Sequence, residues 1–597
     1  MSMLRDIWSI LTPRQRRWVL AAQVLSVTMA FSTVTGIVSI APFFSVLGRP
    51  ELIDSVGPVH WLYVHLGFSS NRRFIVALGL GFVALVVIAN VINILGAFAM
   101  SRLAWWIGAD LQATLFGEYL RRPYVFHAQT HSATIYNNVI HETARVTNEI
   151  LQSAFTLVTA IITAAFIIVS VLLLNPAVAL AMIGALGGGY LLIYLAVRKR
   201  SLRCGQVQSK FFIEQTKIVT ETLGAMKEIL LFRIQNVFRD RFDRASRTLS
   251  LAVAHTQLVS QSPRHVMECV AVAGLVGTAL LLGSRDDGVS PWLGQLTFMG
   301  FAAYRLLPTL QQAFVAAIRI RASRTGFAAI APDLRLARSA IDIPAAVDES
   351  WRQRPARDIR MTEVTFAYSA DAPPAVNAVS LVIPARSVVG FVGANGSGKS
   401  TLVDLIAGLL VPVTGQVEVD GIAVDHATRA AWQHRIAYVP QHIGLMDASI
   451  AQNVALGVPR EHIDRERLLA AARRAQLDEF VRSLPDGYDH PVGERGVGLS
   501  GGQRQRVGIA RALYREASVL ILDEATNALD GLTEQELIAT LMSLRGSYTI
   551  ILIAHRLSTL RTCNVIFELA NGKIMASGSY AELLRDSEGF KQLAGMR

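Results

Sequence analysis

The sequence predicts a multidomain membrane protein: an all-α transmembrane domain of six helices fused to an α/β phosphate-loop nucleotide-binding domain. Three observations predict it. Six charge-poor apolar segments precede Ile320, each close to the ~20 residues a helix needs to cross a bilayer. A complete glycine-rich loop, Gly393-Ala394-Asn395-Gly396-Ser397-Gly398-Lys399-Ser400, follows them. Composition agrees, with 52% hydrophobic and only 17% charged residues in 597, against roughly 25% charged in soluble domains. The mean hydropathy of +0.39 averages over a second half that reads as soluble, so the first half must be far more apolar.

The expected spans are residues 18–47, 74–100, 155–174, 177–197, 265–283 and 292–318. The first is too long for a secretory signal and lacks a cleavage site. Asn175-Pro176 makes the tight turn between the third and fourth. Flanking cations set the orientation. Arg5, Arg14, Arg16 and Arg17 precede the first span, and Arg198, Lys199, Arg200 and Arg203 follow the fourth. The N-terminus, the long connections and the C-terminal half are therefore expected in the cytoplasm of a multi-pass cell (inner) membrane protein. Arg72 and Arg73 run against this trend without outweighing it. The net charge of +12 suits either nucleic acid or basic loops facing an anionic leaflet; the spans favour the leaflet, and no nucleic-acid partner is expected. Cys204, Cys269 and Cys563 are too few and too scattered for a disulfide framework or a zinc site.

Residues 101–150 and 198–263 carry apolar and charged residues at helix-like intervals, as helices continuing out of the bilayer and turning back. Short contact helices are expected near 131–138 and 221–228; solvated stalks are the alternative. Between the first two spans, Val59, Leu62, Tyr63 and Leu66 fall at i, i+3, i+4 and i+7, with Trp61 beside them. This is an amphipathic helix suited to the bilayer interface. The domains are then 1–325 for the membrane part, 326–357 for a linker and 358–597 for the nucleotide-binding part.

In that last part, Val388-Val389-Gly390-Phe391-Val392 reads as a buried strand feeding the glycine-rich loop, with a helix after it. The setting makes the loop a phosphate cradle: glycines let backbone N–H groups wrap the phosphates at a helix N-terminus. Gly393, Asn395, Gly396, Ser397, Gly398, Lys399, Ser400 and Thr401 are the binding candidates; Lys399 would reach the β/γ-phosphates and Ser400 would hold Mg²⁺. Val519-Leu520-Ile521-Leu522-Asp523-Glu524 is a second buried strand ending in two carboxylates. Asp523 is placed to organise Mg²⁺, Glu524 to polarise an attacking water.

Between them stands Leu499-Ser500-Gly501-Gly502-Gln503, and with it the chain resembles the ATP-binding cassette (ABC) family. The resemblance covers about 358–597 and implies the remaining roles. Tyr368 would stack on adenine. Gln441, in Tyr438-Val439-Pro440-Gln441, would sense Mg²⁺ and the transmembrane contact helices. Asp530 lies in the loop that crosses the dimer interface, and His555 is the switch histidine near the γ-phosphate. Ser500, Gly501, Gly502 and Gln503 would close over ATP held by a partner's phosphate loop. ATP and Mg²⁺ are the implied cofactors, with Glu524, His555, Gln441 and Lys399 as the catalytic set. One chain carries one half of each site and six spans, so a second half-transporter is implied, most economically a second copy; a heterodimer is the alternative.

Spans first and cassette second resembles the type IV exporter arrangement. Finer features look like bacterial exporters that flip lipid-linked oligosaccharides: Arg121-Arg122-Pro123-Tyr124-Val125-Phe126-His127, Ser262-Pro263-Arg264 with Glu268, and Tyr304-Arg305-Leu306-Leu307-Pro308. A cation inside a span needs a polar cavity or a partner, and an arginine fork suits a pyrophosphate head group. Arg305 and Arg264 are the substrate candidates. Structurally, Arg264 could simply pair with Glu268 four residues on, and Arg305 could satisfy carbonyls or a carboxylate. The expected function is ATP-driven export or flipping of a lipid-linked glycan or related amphiphile by alternating access. A peptide or small hydrophobic compound is the rival cargo, and a soluble cassette ATPase acting on nucleic acid or ribosomes the remote one.

Overall fold

The computed structural model describes residues 2–38, 46, 53, 57–65, 67–68, 70–174, 176–283, 290–339, 357–369, 371–493, 496–515, 517–524, 531–554 and 557–593. The chain divides into two compact units: Met1–Arg122 with His127–Ile341, and Pro123–Phe126 with Asp342–Arg597.

The first unit is helical throughout. Its long helices are Pro13–Val38, Asn71–Arg121, Ser153–Leu174, Gly188–Gly224, Gln235–Gly283 and Ser290–Ala322. Among the described residues, the helical stretches Pro13–Thr35, Asn71–Arg121 and Ser132–Leu173 are long and apolar enough to cross a membrane. Leu80, Ile94 and Phe98 are exposed on the second of these, the mark of a helix whose solvent is not water. A shared core gathers Val34, Ile167, Tyr190, Met267 and Leu306 from five of the six long helices.

Below the apolar stretches the helices run on, and there charge holds them together. Arg122 bonds Glu118 at 3.0 Å and Asp333 at 2.6 Å. Arg241 reaches Glu214 and Glu221, both at 3.0 Å. Arg145 donates to the Ala322 carbonyl at 2.9 Å and faces the buried Glu142 at 3.6 Å. Glu142 also accepts from Ser209. Gly326 permits that packing, because a Cβ there would overlap the Glu142 carboxylate. Two π-helical turns, Asn137–Glu142 and Val146–Gln152, lie in this stretch.

Two segments differ from expectation and one helix forms where the sequence placed it. Arg324–Ser339 is a helix, with Phe327, Ile330 and Leu334 buried at i, i+3 and i+7. It belongs to the first unit, although residues 326–357 read as a linker from their charges. Pro123–Phe126, not 131–138, is the excursion segment that groups with the second unit, Val125 packing against its core. Helix Gly57–His65 forms as expected, with Tyr63 packed edge-on to Phe74 at 5.2 Å and Trp61 and Val64 exposed.

The second unit contains two sheets. Strands β1 (Asp358–Phe366), β2 (Val376–Pro384), β4 (Thr414–Val419) and β5 (Ile422–Ala423) form an antiparallel sheet in the order β2-β1-β4-β5. The larger sheet uses β3 (Val388–Val392), β6 (Ile436–Val439), β7 (Val519–Asp523), β8 (Thr549–Ile553), β9 (Val565–Ala570) and β10 (Lys573–Gly578), ordered β10-β9-β3-β8-β7-β6. β3 and β8 are buried at every residue and β7 at all but its last, as parallel strands covered on both faces must be. β2 instead alternates buried and exposed residues, as an antiparallel strand with one solvated face does.

Candidate nucleotide site

Parallel pairing decides where the chemistry gathers. β3 pairs with β8, β8 with β7 and β7 with β6, all parallel. Their carboxyl ends therefore open on one edge of the sheet, where open α/β sheets bind ligands. The glycine-rich loop leaves β3 there, Asp523 and Glu524 end β7, and Gln441 follows β6. The result is a cleft of about 660 Å³ lined by Tyr368, Ala375, residues 395–401, Gln441 and Glu524.

The loop's backbone requires its glycines. Gly396 and Gly398 hold φ of 79° and 101°, open to glycine and strained for other residues. A Cβ at Gly393 or Gly398 would overlap the carbonyls of Leu569 or Ala375. Lys399 begins helix Lys399–Ile406 and turns its Nζ back to the Gly393 and Ala394 carbonyls, at 2.9 Å each. Burial holds its ammonium below the ordinary lysine value, against the opposing pull of Glu524 and Asp523. The Ser397 hydroxyl is buried and has no hydrogen-bond partner among the described residues. An orphaned donor inside a cradle of backbone N–H groups fits a phosphate oxygen.

The acidic side is held from β6. Gln441 Nε2 donates to Glu524 Oε2 at 2.7 Å, and the Tyr438 hydroxyl donates to Asp523 Oδ2 at 2.8 Å. Glu524 sits at φ 48°, a left-handed conformation that a β-substituted residue adopts at a cost of about 1–3 kcal/mol, and such strain concentrates at functional sites. Its N–H donates to the Ile553 carbonyl at 3.1 Å, which ties the strained residue to the end of β8. Ser400, Gln441 and Asp523 supply oxygen donors of the kind Mg²⁺ takes alongside substrate phosphates, so the residues present fit that ion. Tyr368 stands at the mouth, 37% exposed, its hydroxyl 3.2 Å from Thr401 Oγ1.

Ser500, Gly501, Gly502 and Gln503 are not among the residues lining this cleft. They open a separate helix, Gly501–Tyr514, where Ser500 and Gln503 cap each other reciprocally: Gln503 N–H donates to Ser500 Oγ at 3.2 Å and Ser500 N–H to Gln503 Oε1 at 2.8 Å. Asp530 and His555 lie outside the described residues. Of the cargo candidates, Arg264 donates to Glu268 at 2.8 Å on one exposed helix face, and Arg305 is half-buried in Ser290–Ala322.

Sequence reasoning missed three members of the site. Tyr438 was visible only as the residue three before Gln441. Asp404 lies in the helix after the loop, where burial and then Asp523 push its carboxyl up to about 6. Tyr124 arrives from the first excursion, its phenol raised by burial and then by Asp404 and Asp523.

Comparison with known proteins adds three findings. The profile described as "ABC transporter" matches residues 376–527, and "ABC transporter transmembrane region" matches residues 17–281. An ATP-dependent lipid A-core flippase of Albidiferax ferrireducens is 31% identical over 540 residues, 89% of this chain and 90% of that one. Its counterpart in Nitrosococcus oceani is 28% identical over 587 residues, 96% and 92% of the two chains. Among solved structures, a bacterial Atm1-family ABC exporter with ATP bound superposes with a TM-score of 0.76 at 23% identity, over 97% of this chain and 98% of that chain. That likeness is one of fold.

Proposed function

We propose, from the premise that this chain belongs to the ABC transporter family, that it is an ATP-driven flippase whose cargo is a glycolipid with a phosphorylated head group. The observation that carries the reading is the single cleft in which the phosphate loop, Gln441 and Glu524 meet on a chain with a helical membrane unit. Hydrolysis of ATP is coupled to transport. In the cleft, Tyr368 receives the base, residues 395–401 wrap the phosphates and Lys399 turns from its own loop carbonyls to the β/γ-phosphates. Ser400, Gln441 and Asp523 hold Mg²⁺, which when bound offsets charge on the phosphate oxygens. Glu524, once released by Gln441, accepts a proton from the attacking water, and His555 faces the γ-phosphate.

The protein works as a dimer, and a homodimer is the economical form, because one chain carries one phosphate loop and one signature. Ser500, Gly501 and Gly502 of each copy then close over ATP on the other, with Asp530 crossing between them. The cassette and N-terminus face the cytoplasm of the inner membrane, as the arginines before the first span and after the fourth require. The cargo is a lipid-linked oligosaccharide or lipid A-core type glycolipid. Arg305 takes its phosphate as a planar fork; Arg264, already paired with Glu268, contributes through that pair.

Reconstitution in proteoliposomes tests this reading. Lipid A-core or a polyprenyl-pyrophosphate glycan should stimulate phosphate release, and a labelled glycolipid should change leaflet only with ATP. Arg305→Ala should raise the concentration for half-stimulation about tenfold, the loss of a hydrogen bond to a charged group. Turnover indifferent to both lipids, with transport intact in Arg305→Ala, would give the site to a peptide or small hydrophobic compound instead.

A further inference from the structure

Two side chains from one segment hold the two carboxylates at the tip of β7, and only one of them is foreseen by the motifs. Gln441 holds Glu524. Tyr438, three residues earlier and inside β6, holds Asp523. The register explains the reach. Tyr438 pairs with Ile521 across the parallel ladder, so it shares a sheet face with Ile521 and hence with Asp523, two residues on. The gap along the strand is about 6.6 Å, which a phenol leaning toward the strand's end spans and a serine or threonine does not.

Tyr438 is 36% exposed on the edge strand of the sheet, with its hydroxyl directed to Asp523. Asp523 in turn acts on the Asp404 carboxyl of helix Lys399–Ile406, which helps push it up to about 6.

We propose that Tyr438 is a positioning residue for the metal-bound nucleotide, its hydroxyl fixing the orientation in which Asp523 receives Mg²⁺. The proposal rests on the reading of Asp523 as the residue that organises Mg²⁺. It adds that one segment, from Tyr438 to Gln441, controls both acidic groups, so a movement of that segment alters metal binding and the catalytic carboxylate together.

The test uses the full-length protein in lipid nanodiscs, with Tyr438→Phe, which removes one oxygen and keeps the ring. ATP binding is measured first in EDTA and then as a titration with Mg²⁺. Binding in EDTA should match the parent, which also shows the variant is folded. The Mg²⁺ concentration for half-maximal binding should rise about tenfold, the usual scale for losing a group that orients a metal ligand. Saturating Mg²⁺ should restore the maximal rate of phosphate release. An unchanged Mg²⁺ titration, or an equal loss with and without Mg²⁺, overturns the role of Tyr438. Asp523→Asn separates the two readings: if it too leaves the Mg²⁺ titration unchanged, the assignment of Asp523 falls and the positioning role falls with it.

Discussion

The two units of this chain differ in how their charged side chains are used. In the membrane unit several close on one another: Arg122 on Glu118 and Asp333, Arg241 on Glu214 and Glu221, Arg338 on Asp110. Arg145 donates to the Ala322 and Gly205 carbonyls and stands 3.6 Å from the Glu142 carboxylate. In the nucleotide unit some line a cleft instead. The Ser397 hydroxyl is buried with no partner among the described residues, the Lys399 ammonium rests on its own loop's carbonyls, and Glu524 is kept at a left-handed φ. A strained acid beside a phosphate cradle marks chemistry, because the strain persists only where the surrounding structure keeps it there.

If that contrast is right, the largest effect of any conservative change should fall on Glu524. Glu524→Gln keeps the shape and the neighbour Gln441 but removes the group that can take a proton. Positioned bases contribute about 10²- to 10⁴-fold, so phosphate release should fall at least about a hundredfold. ATP should still bind, and should be trapped in a closed dimer. Normal turnover in this variant would break the assignment of the strained Glu524 carboxylate to chemistry.

The same contrast explains what was legible in the sequence. The cassette motifs are contiguous because one loop has to wrap one phosphate chain, and each lies at the tip of an apolar strand; residues 395–401, Gln441 and Glu524 could be named before any fold was seen. Tyr438 and Asp404 could not. Their place beside Asp523 depends on strand register and on the pitch of the helix after the loop, and both are tertiary facts. In the membrane unit the helices were legible from length and apolarity. Their extensions were harder, since the charges that made 326–357 look like a linker belong in part to a helix whose other face, Phe327, Ile330 and Leu334, is buried. Likewise Pro123–Phe126 is too short to carry a period.

Architecture should register as stability. Arg145→Ala would strand Glu142, whose side chain is 2% exposed, against Ser209 with no cation. Removing one partner of a buried pair costs on the order of 3 kcal/mol, so the melting midpoint of the full-length protein in detergent should drop clearly. Arg264→Ala, from an exposed i, i+4 pair, should leave the midpoint where it was. Should Arg145→Ala instead keep the midpoint and abolish glycolipid stimulation, the pair would belong to transport and the division between the units would dissolve.

The smallest expected effect probes a group that fits neither kind. Asp404 is partly buried and faces Asp523, and its carboxyl is pushed up to about 6 by burial first and by Asp523 second. Because its folded value lies above the ordinary value of 3.8, the folded protein holds this proton more tightly than the unfolded chain. The stabilisation is complete below about pH 4 and is lost as pH rises through about 6. Other carboxylates titrate in the same window, so the informative quantity is a difference between variants. From pH 4 to pH 6 the parent's melting midpoint should fall relative to that of Asp404→Asn, which keeps the shape and has no proton to lose. The difference should be modest, since solvent reaches part of the group. Parallel curves would mean that burial and Asp523 together do not raise the Asp404 carboxyl, and that it behaves as an ordinary solvated acid.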